Sequence, residues 1–200
     1  MKNYSLILAF LCMSFIAQSQ ISIGLKLGVN SNKFITSNAD LQNNGFKYGF
    51  VGGAYVNIGV GSVYIQPEMV FSQKGANLKY KNTGAPADFT RDINSLDVPI
   101  LLGMRFGDNA KFRINVGPIF GFPMSAKQDS ESRYKESLNK SNVGYQAGIG
   151  FDISTFAIDL RYEGGFSDIG KNTYTVGTQT FKTDDRVSLF QLTLGYKISN

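Results

Sequence analysis

Residues 156–165, FAIDLRYEGG, place Asp159, Arg161 and Glu163 at alternate positions, with Phe156, Ile158, Leu160 and Tyr162 between them. Two carboxylates beside a guanidinium could transfer protons, hold an ion or simply neutralise one another. Other charges recur at the same spacing of two elsewhere: Glu68, Asp97, Arg105, Arg113 and Asp152, joined by Lys26, Lys47 and Lys197. The chain contains no histidine, so the usual general base near neutral pH and the commonest zinc or copper ligand are both missing. Two further carboxylate pairs, Asp184 with Asp185 and Asp129 with Glu131, stand among basic neighbours in polar connections. The strings GVGS and GFVGGA have no helix after them to offer N-terminal amides to a phosphate. The expectation is a protein that is not an enzyme, with no catalytic, cofactor-binding or metal-ligating residues and no cofactor.

Alternation by two dominates from Gln20 onward, and it predicts strands. Eight segments carry it: 21–30, 47–58, 62–74, 93–106, 111–125, 142–153, 156–165 and 186–198. Their connections alternate in length. Residues 30–46, 75–92, 126–141 and 167–186 are long and polar, whereas 59–62, 107–110 and 154–155 are tight turns. That order predicts an even-stranded antiparallel meander with two unlike ends, as in outer-membrane barrels.

The two faces of each segment differ in kind. One holds large apolar residues, such as Ile23, Leu25 and Leu27, while the other holds Gly28, Gly53, Gly103, Gly117, Gly148 and Gly150 with Asn57, Gln66, Asn115, Gln146 and the charges. Eight strands enclose a lumen only wide enough for side chains. Glycine and charge are therefore assigned to the inside, and the apolar row to lipid. Phe106, Phe112, Phe151, Phe156 and Tyr196 fall toward the tight turns, and Tyr48, Phe71, Phe122, Tyr145 and Tyr162 toward the long connections, as two aromatic girdles would. Pro67, Pro99, Pro118 and Pro123 interrupt segments and are expected to mark bulges or strand ends.

With 200 residues the chain suffices for one domain. Its 22 glycines, 10 tyrosines and 16 phenylalanines, at 42% hydrophobic residues, exclude disorder. The net charge of +5 is scattered, which argues against nucleic acid as a partner. The opening MKNYSLILAFLCMSFIAQSQ pairs Lys2 with an apolar run too short to span a bilayer, then Ala17-Gln18-Ser19. Residues 1–19 are read as a signal peptide and 20–200 as the barrel domain. Cys12, the single cysteine, lies in the leader without the small residues that a lipid-anchoring site requires.

The strings YIQPEMVFSQKG (64–75), LDVPILLGMRF (96–106), INVGPIFGF (114–122), VGYQAGIGFDI (143–153), FAIDLRYEGGFSDIG (156–170) and LTLGYKI (192–198) resemble, in order, the PorT-like outer-membrane β-barrel family. The resemblance spans Ile21 to Ile198. It implies a small eight-stranded barrel of gram-negative bacteria and marks no catalytic residues. It also raises a link to a secretion and gliding apparatus, with which the family's founding member is associated. The chain departs from the pattern at its end, Ile198-Ser199-Asn200, which lacks a terminal aromatic.

The expected protein is all-β: an eight-stranded antiparallel up-and-down transmembrane barrel in the bacterial outer membrane, with chain termini in the periplasm and long loops outside. Its charges Glu68, Asp97, Arg105, Arg113, Asp152, Asp159, Arg161 and Glu163 would form a polar plug, since an unpaired buried charge costs several kcal/mol. The partners expected are outer-membrane lipid and, through the loops, lipopolysaccharide or another envelope protein. The third loop, SAKQDSESRYKESLNKS, is one candidate contact. Two alternatives stand beside this reading: a narrow ion-permeable pore, and a secreted soluble lipocalin-like barrel carrying an apolar ligand.

Overall fold

The computed structural model describes residues 20–36, 41–43, 45–80, 88–107, 110–128, 139–167, 174–176, 179–181 and 185–199. The expected signal peptide and most of the third loop, residues 129–138, lie outside the described residues. The strands in chain order are β1 (Gln20–Thr36), β2 (Leu41–Asn43), β3 (Lys47–Val60), β4 (Val63–Tyr80), β5 (Asp88–Phe106), β6 (Ala110–Gln128), β7 (Asn142–Ile153), β8 (Phe156–Gly165), β9 (Tyr174–Val176), β10 (Gln179–Phe181) and β11 (Asp185–Ser199). Eight of them close a barrel of antiparallel neighbours: β1, β3, β4, β5, β6, β7, β8 and β11, with β11 returning to β1. Closure leaves no wall strand with an unpaired edge.

Turn chemistry explains one end of the barrel. Gly61 and Gly107 have φ of +60° and +96°, conformations open to glycine at little cost, and Ser154 takes φ 57° in the two-residue turn before β8. The Arg105 amide donates to the Ser62 carbonyl and the Lys197 amide to that of Thr155, each at 2.8 Å, so neighbouring strands tie these turns down. Gln20 pairs with Gly59 and Ser199 with Ile23, which puts both ends of the described wall at this tight-turn end.

At the opposite end the strands outrun the sequence-based boundaries. β4 continues to Tyr80 and pairs with β5 from Asp88, with Lys79 opposite Asp88, so much of the expected loop 75–92 is hairpin. A membrane strand needs about 9–11 residues, whereas β4, β5 and β6 have 18, 19 and 19. Beyond Phe71 and Leu96 the outward positions are polar, with Gln73, Asn94 and Asp92, so the ladder persists while the hydrophobic alternation vanishes. β2, which pairs with β4, and the strands of the β9–β10 hairpin have three residues each, too few to show a period of two.

The prolines only partly follow expectation. Pro123 adjoins a true register shift: Asn94 faces Ser125 and Ser95 faces Pro123, leaving Met124 as the extra residue. Pro67, Pro99 and Pro118 instead lie mid-strand, where the β3–β4, β4–β5 and β5–β6 ladders each skip two pairs and resume in the same register. A proline removes a single donor, pointed at one neighbour. The opposite seam holds the strand in place.

Glycine on the inward face makes room rather than turns. A Cβ on Gly103 would lie 2.3 Å from the Tyr64 ring, one on Gly24 2.4 Å from the Tyr55 ring, and one on Gly148 2.5 Å from Arg161 Cγ. Large inward residues and glycines are thus paired across seams. The inward face also carries more apolar bulk than expected, because Val51, Tyr55, Tyr64, Val70, Leu101 and Leu189 are all buried there. Gly148→Val should destabilise the barrel by about 1–3 kcal/mol through overpacking. The check is urea unfolding of the refolded protein in vesicles, scored by the altered gel mobility of unboiled barrel.

Candidate functional site

Strand parity sends the charges of β1, β4, β5, β6, β7 and β8 into one narrow space. Arg161 Nη1 donates to Glu68 Oε1 at 2.8 Å, and Lys26 Nζ holds the other Glu68 oxygen at 2.8 Å. Arg161 Nη2 lies 3.4 Å from Asp159 Oδ2, whose partner oxygen accepts from Arg113 Nη2 at 2.9 Å. Arg113 Nε continues to Asp152 at 3.1 Å, and Asp152 reaches Arg105 at 3.5 Å. Arg105 then donates to Asn57 at 2.5 Å and stacks over the Tyr64 ring, 4.4 Å from its centroid. One chain of alternating sign therefore runs from the tight turns to mid-barrel.

A second group lies nearer the long connections. Lys74 Nζ bridges Asp97 at 2.8 Å and Glu163 at 2.5 Å. Ser95 donates to Asp97 at 2.9 Å, and Gln146 Nε2 donates to Glu163 at 3.0 Å. Across both groups, the linked charges are five cations (Lys26, Lys74, Arg105, Arg113, Arg161) and five anions (Glu68, Asp97, Asp152, Asp159, Glu163). Their charges cancel. Neutral side chains extend the network, with Gln66 joining Asn57 to Glu68.

All eight residues singled out as a plug are brought together, and Arg105 and Arg113 lie level with Asp152 and Asp159 as their strand positions implied. Lys74 escaped sequence reasoning. It continues the inward parity of Gln66, Glu68 and Ser72, but it stands where hydrophobic alternation stops. Lys47 departs from the lumen set and pairs with Asp92 at 2.5 Å, whose side chain is 55% exposed. Lys197 has a half-buried side chain near the tight-turn end and joins none of the ten charges above. Among the described residues, no three acidic, cysteine or histidine side chains converge on a metal position.

Outside, the pattern inverts. Leu27 is 60% exposed, and Leu102, Val116, Ile158 and Leu194 are likewise bare on the outer wall. Water does not favour such a continuous apolar surface, and hydrocarbon does. Two aromatic clusters bound it. Phe106, Phe112 and Phe151 meet near the tight turns, as do Phe156 and Tyr196 at 5.5 Å, while Tyr145, Tyr162, Phe166 and Phe190 join at the other end.

The family model described as outer membrane protein beta-barrel domain matches residues 16–171. The chain belongs to this outer-membrane β-barrel family. The match stops before β11 and so does not cover the strand that closes the barrel. Among solved structures, Ail of Yersinia pestis in complex with the heparin analogue sucrose octasulfate is similar at TM-score 0.50 and 15% identity, over 90% of this chain and 99% of that one. Neisserial surface protein A is similar at 0.48 and 15%, over 90% and 99%. The N-terminal barrel of Pseudomonas aeruginosa OprF follows at 0.38 and 9%, over 90% and 100%. At such identity Ail speaks for the fold alone. No curated protein matches the chain.

Removing one partner of a buried ion pair leaves an uncompensated charge and costs about 3–5 kcal/mol. Lys74→Met should therefore lower the urea midpoint of the refolded barrel sharply, and Lys74→Met with Asp97→Asn and Glu163→Gln should regain most of the loss. Equal midpoints for the two variants would show that the ammonium does not hold this group together.

Proposed function

We propose that this outer-membrane barrel is a non-enzymatic anchor: its lumen is plugged by the paired charges, and its long connections lie outside the cell and recognise envelope or extracellular partners. The observation that carries the reading is the ionic network, in which Arg161, Glu68, Lys26 and Asp97 are each at most 4% exposed and all are paired. Charges held by one another across so narrow a lumen leave an ion no open path between them. What remains for chemistry is the surface carried on the rigid wall. In this reading the chain termini are periplasmic, because the tight turns and termini share one end.

The partners proposed are lipopolysaccharide or another envelope protein. Membership of the PorT-like group, with its link to a secretion and gliding apparatus, is proposed on the ordered sequence strings alone. The anionic ligand in the Ail complex fits a surface that meets polyanions, and this chain carries +5 overall.

Refolded protein in planar bilayers is expected to give no steady unitary currents; reproducible single-channel steps would sink the plug and favour the narrow pore. In cells, photo-crosslinkers placed at Ser132 and Thr178 should capture an envelope component. Crosslinks to periplasmic proteins from both positions would overturn the external placement of the loops.

A further inference from the structure

We propose that the lumen ends, on the long-connection side, in a site for the ammonium head of a primary alkylamine, seated between Glu163 and Asn142. A recess opens there, where the β6–β7 ladder stops at Gly121 and Asn142 and the β7–β8 ladder at Gly144 and Gly165. Glu163 and Asn142 give it charge and polarity, whereas the buried Ile119 and Val187 give it an apolar side. Its open volume, measured at the centre of a water-sized sphere, is about 10 Å³, enough for one such group. A guanidinium or a sugar ring is too large for it. The site is separate from the loop surfaces proposed above, and it holds whichever side of the membrane this end faces.

The charge beneath the recess calls for a cation. Lys74 alone faces both Asp97 and Glu163, so this group has one more negative charge than positive, while Arg91, farther out along β5, already has an interaction partner. Hydrogen bonding points the same way. Gln146 donates through Nε2 to Glu163, and its Oε1 is buried with no donor among the described residues. Asn142 turns its amide over Gly121, where a Cβ would lie 2.2 Å from Asn142 Oδ1 and 3.1 Å from Asp97 Oδ1. Only glycine leaves that space open. Each Glu163 oxygen accepts one hydrogen bond, from Lys74 or from Gln146, and keeps a second lone pair. An ammonium brings a single positive charge and three N–H donors, which meets both needs. A hard metal ion prefers about six oxygens or more, which this recess does not gather. Its apolar side suits an alkyl chain instead.

The test titrates n-butylammonium chloride at neutral pH into refolded protein comprising residues 20–200 in phosphatidylcholine nanodiscs, with isoleucine methyl groups labelled and the Ile119 signal followed by NMR. That signal should shift and saturate. n-Butanol, which has the same chain and no charge, should leave it in place, as should tetramethylammonium, which has no N–H group. Glu163→Gln removes the carboxylate while Lys74 keeps Asp97, and it should weaken binding about tenfold or more. Asn142→Ala, which breaks no ion pair, should weaken binding less. Unboiled gel mobility and the ligand-free methyl spectrum confirm that each variant is folded. The absence of a saturable shift overturns the proposal, as does equal binding by the Glu163→Gln protein. An equal shift with n-butanol also overturns it, by leaving only an apolar hollow, and an equal shift with potassium chloride does so by assigning the recess to simple cations.

Discussion

Everything inside this protein follows from the width of an eight-stranded barrel. The ring leaves space for side chains and little more, so a charge that points inward loses most of its water and must find an opposite charge within a few ångströms. The ten linked residues meet that demand without surplus. Arg161 is the centre of the arrangement, because it touches Glu68 and Asp159 and so joins the mid-barrel group to the chain that ends at Arg105.

The same narrowness explains the glycines. Arg161 can extend its stem only because Gly148 on the neighbouring strand has no Cβ, and Tyr64 occupies the space that a side chain at Gly103 would take. Bulk and absence alternate around the ring, which is how a fixed circumference accommodates arginines and tyrosines together. The outer wall faces no such limit. Its apolar residues are spread evenly because lipid is fluid, and only the aromatic clusters and the charged rim mark height along the barrel axis.

In the proposed reading, function is displaced to the ends. A wall buried in lipid and an interior engaged in its own ion pairs leave the long connections and the rim above the aromatic row as the surfaces where chemistry can differ between barrels of this shape. The difference in strand length supports that division: β4, β5 and β6 rise well past the membrane band, whereas β8 has only 10 residues.

Alternation by two, long and short connections in turn, and glycine confined to one parity were legible in the chain itself, because each expresses a local rule about which face a residue takes. Those rules were enough for eight strands, closure and the inward placement of Glu68, Asp97, Arg105, Arg113, Asp152, Asp159, Arg161 and Glu163. They failed where the outward row turns polar or the strand is too short to alternate, so the tops of β4 and β5, the three-residue β2, β9 and β10, and Lys74 went unread. Pairing was beyond them altogether. That Arg161 meets Glu68, 93 residues away, or that Lys74 bridges Asp97 and Glu163, depends on strand register and on how the closed ring brings strands together across the lumen. Parity is written residue by residue, but which charge faces which is decided only when the last strand meets the first.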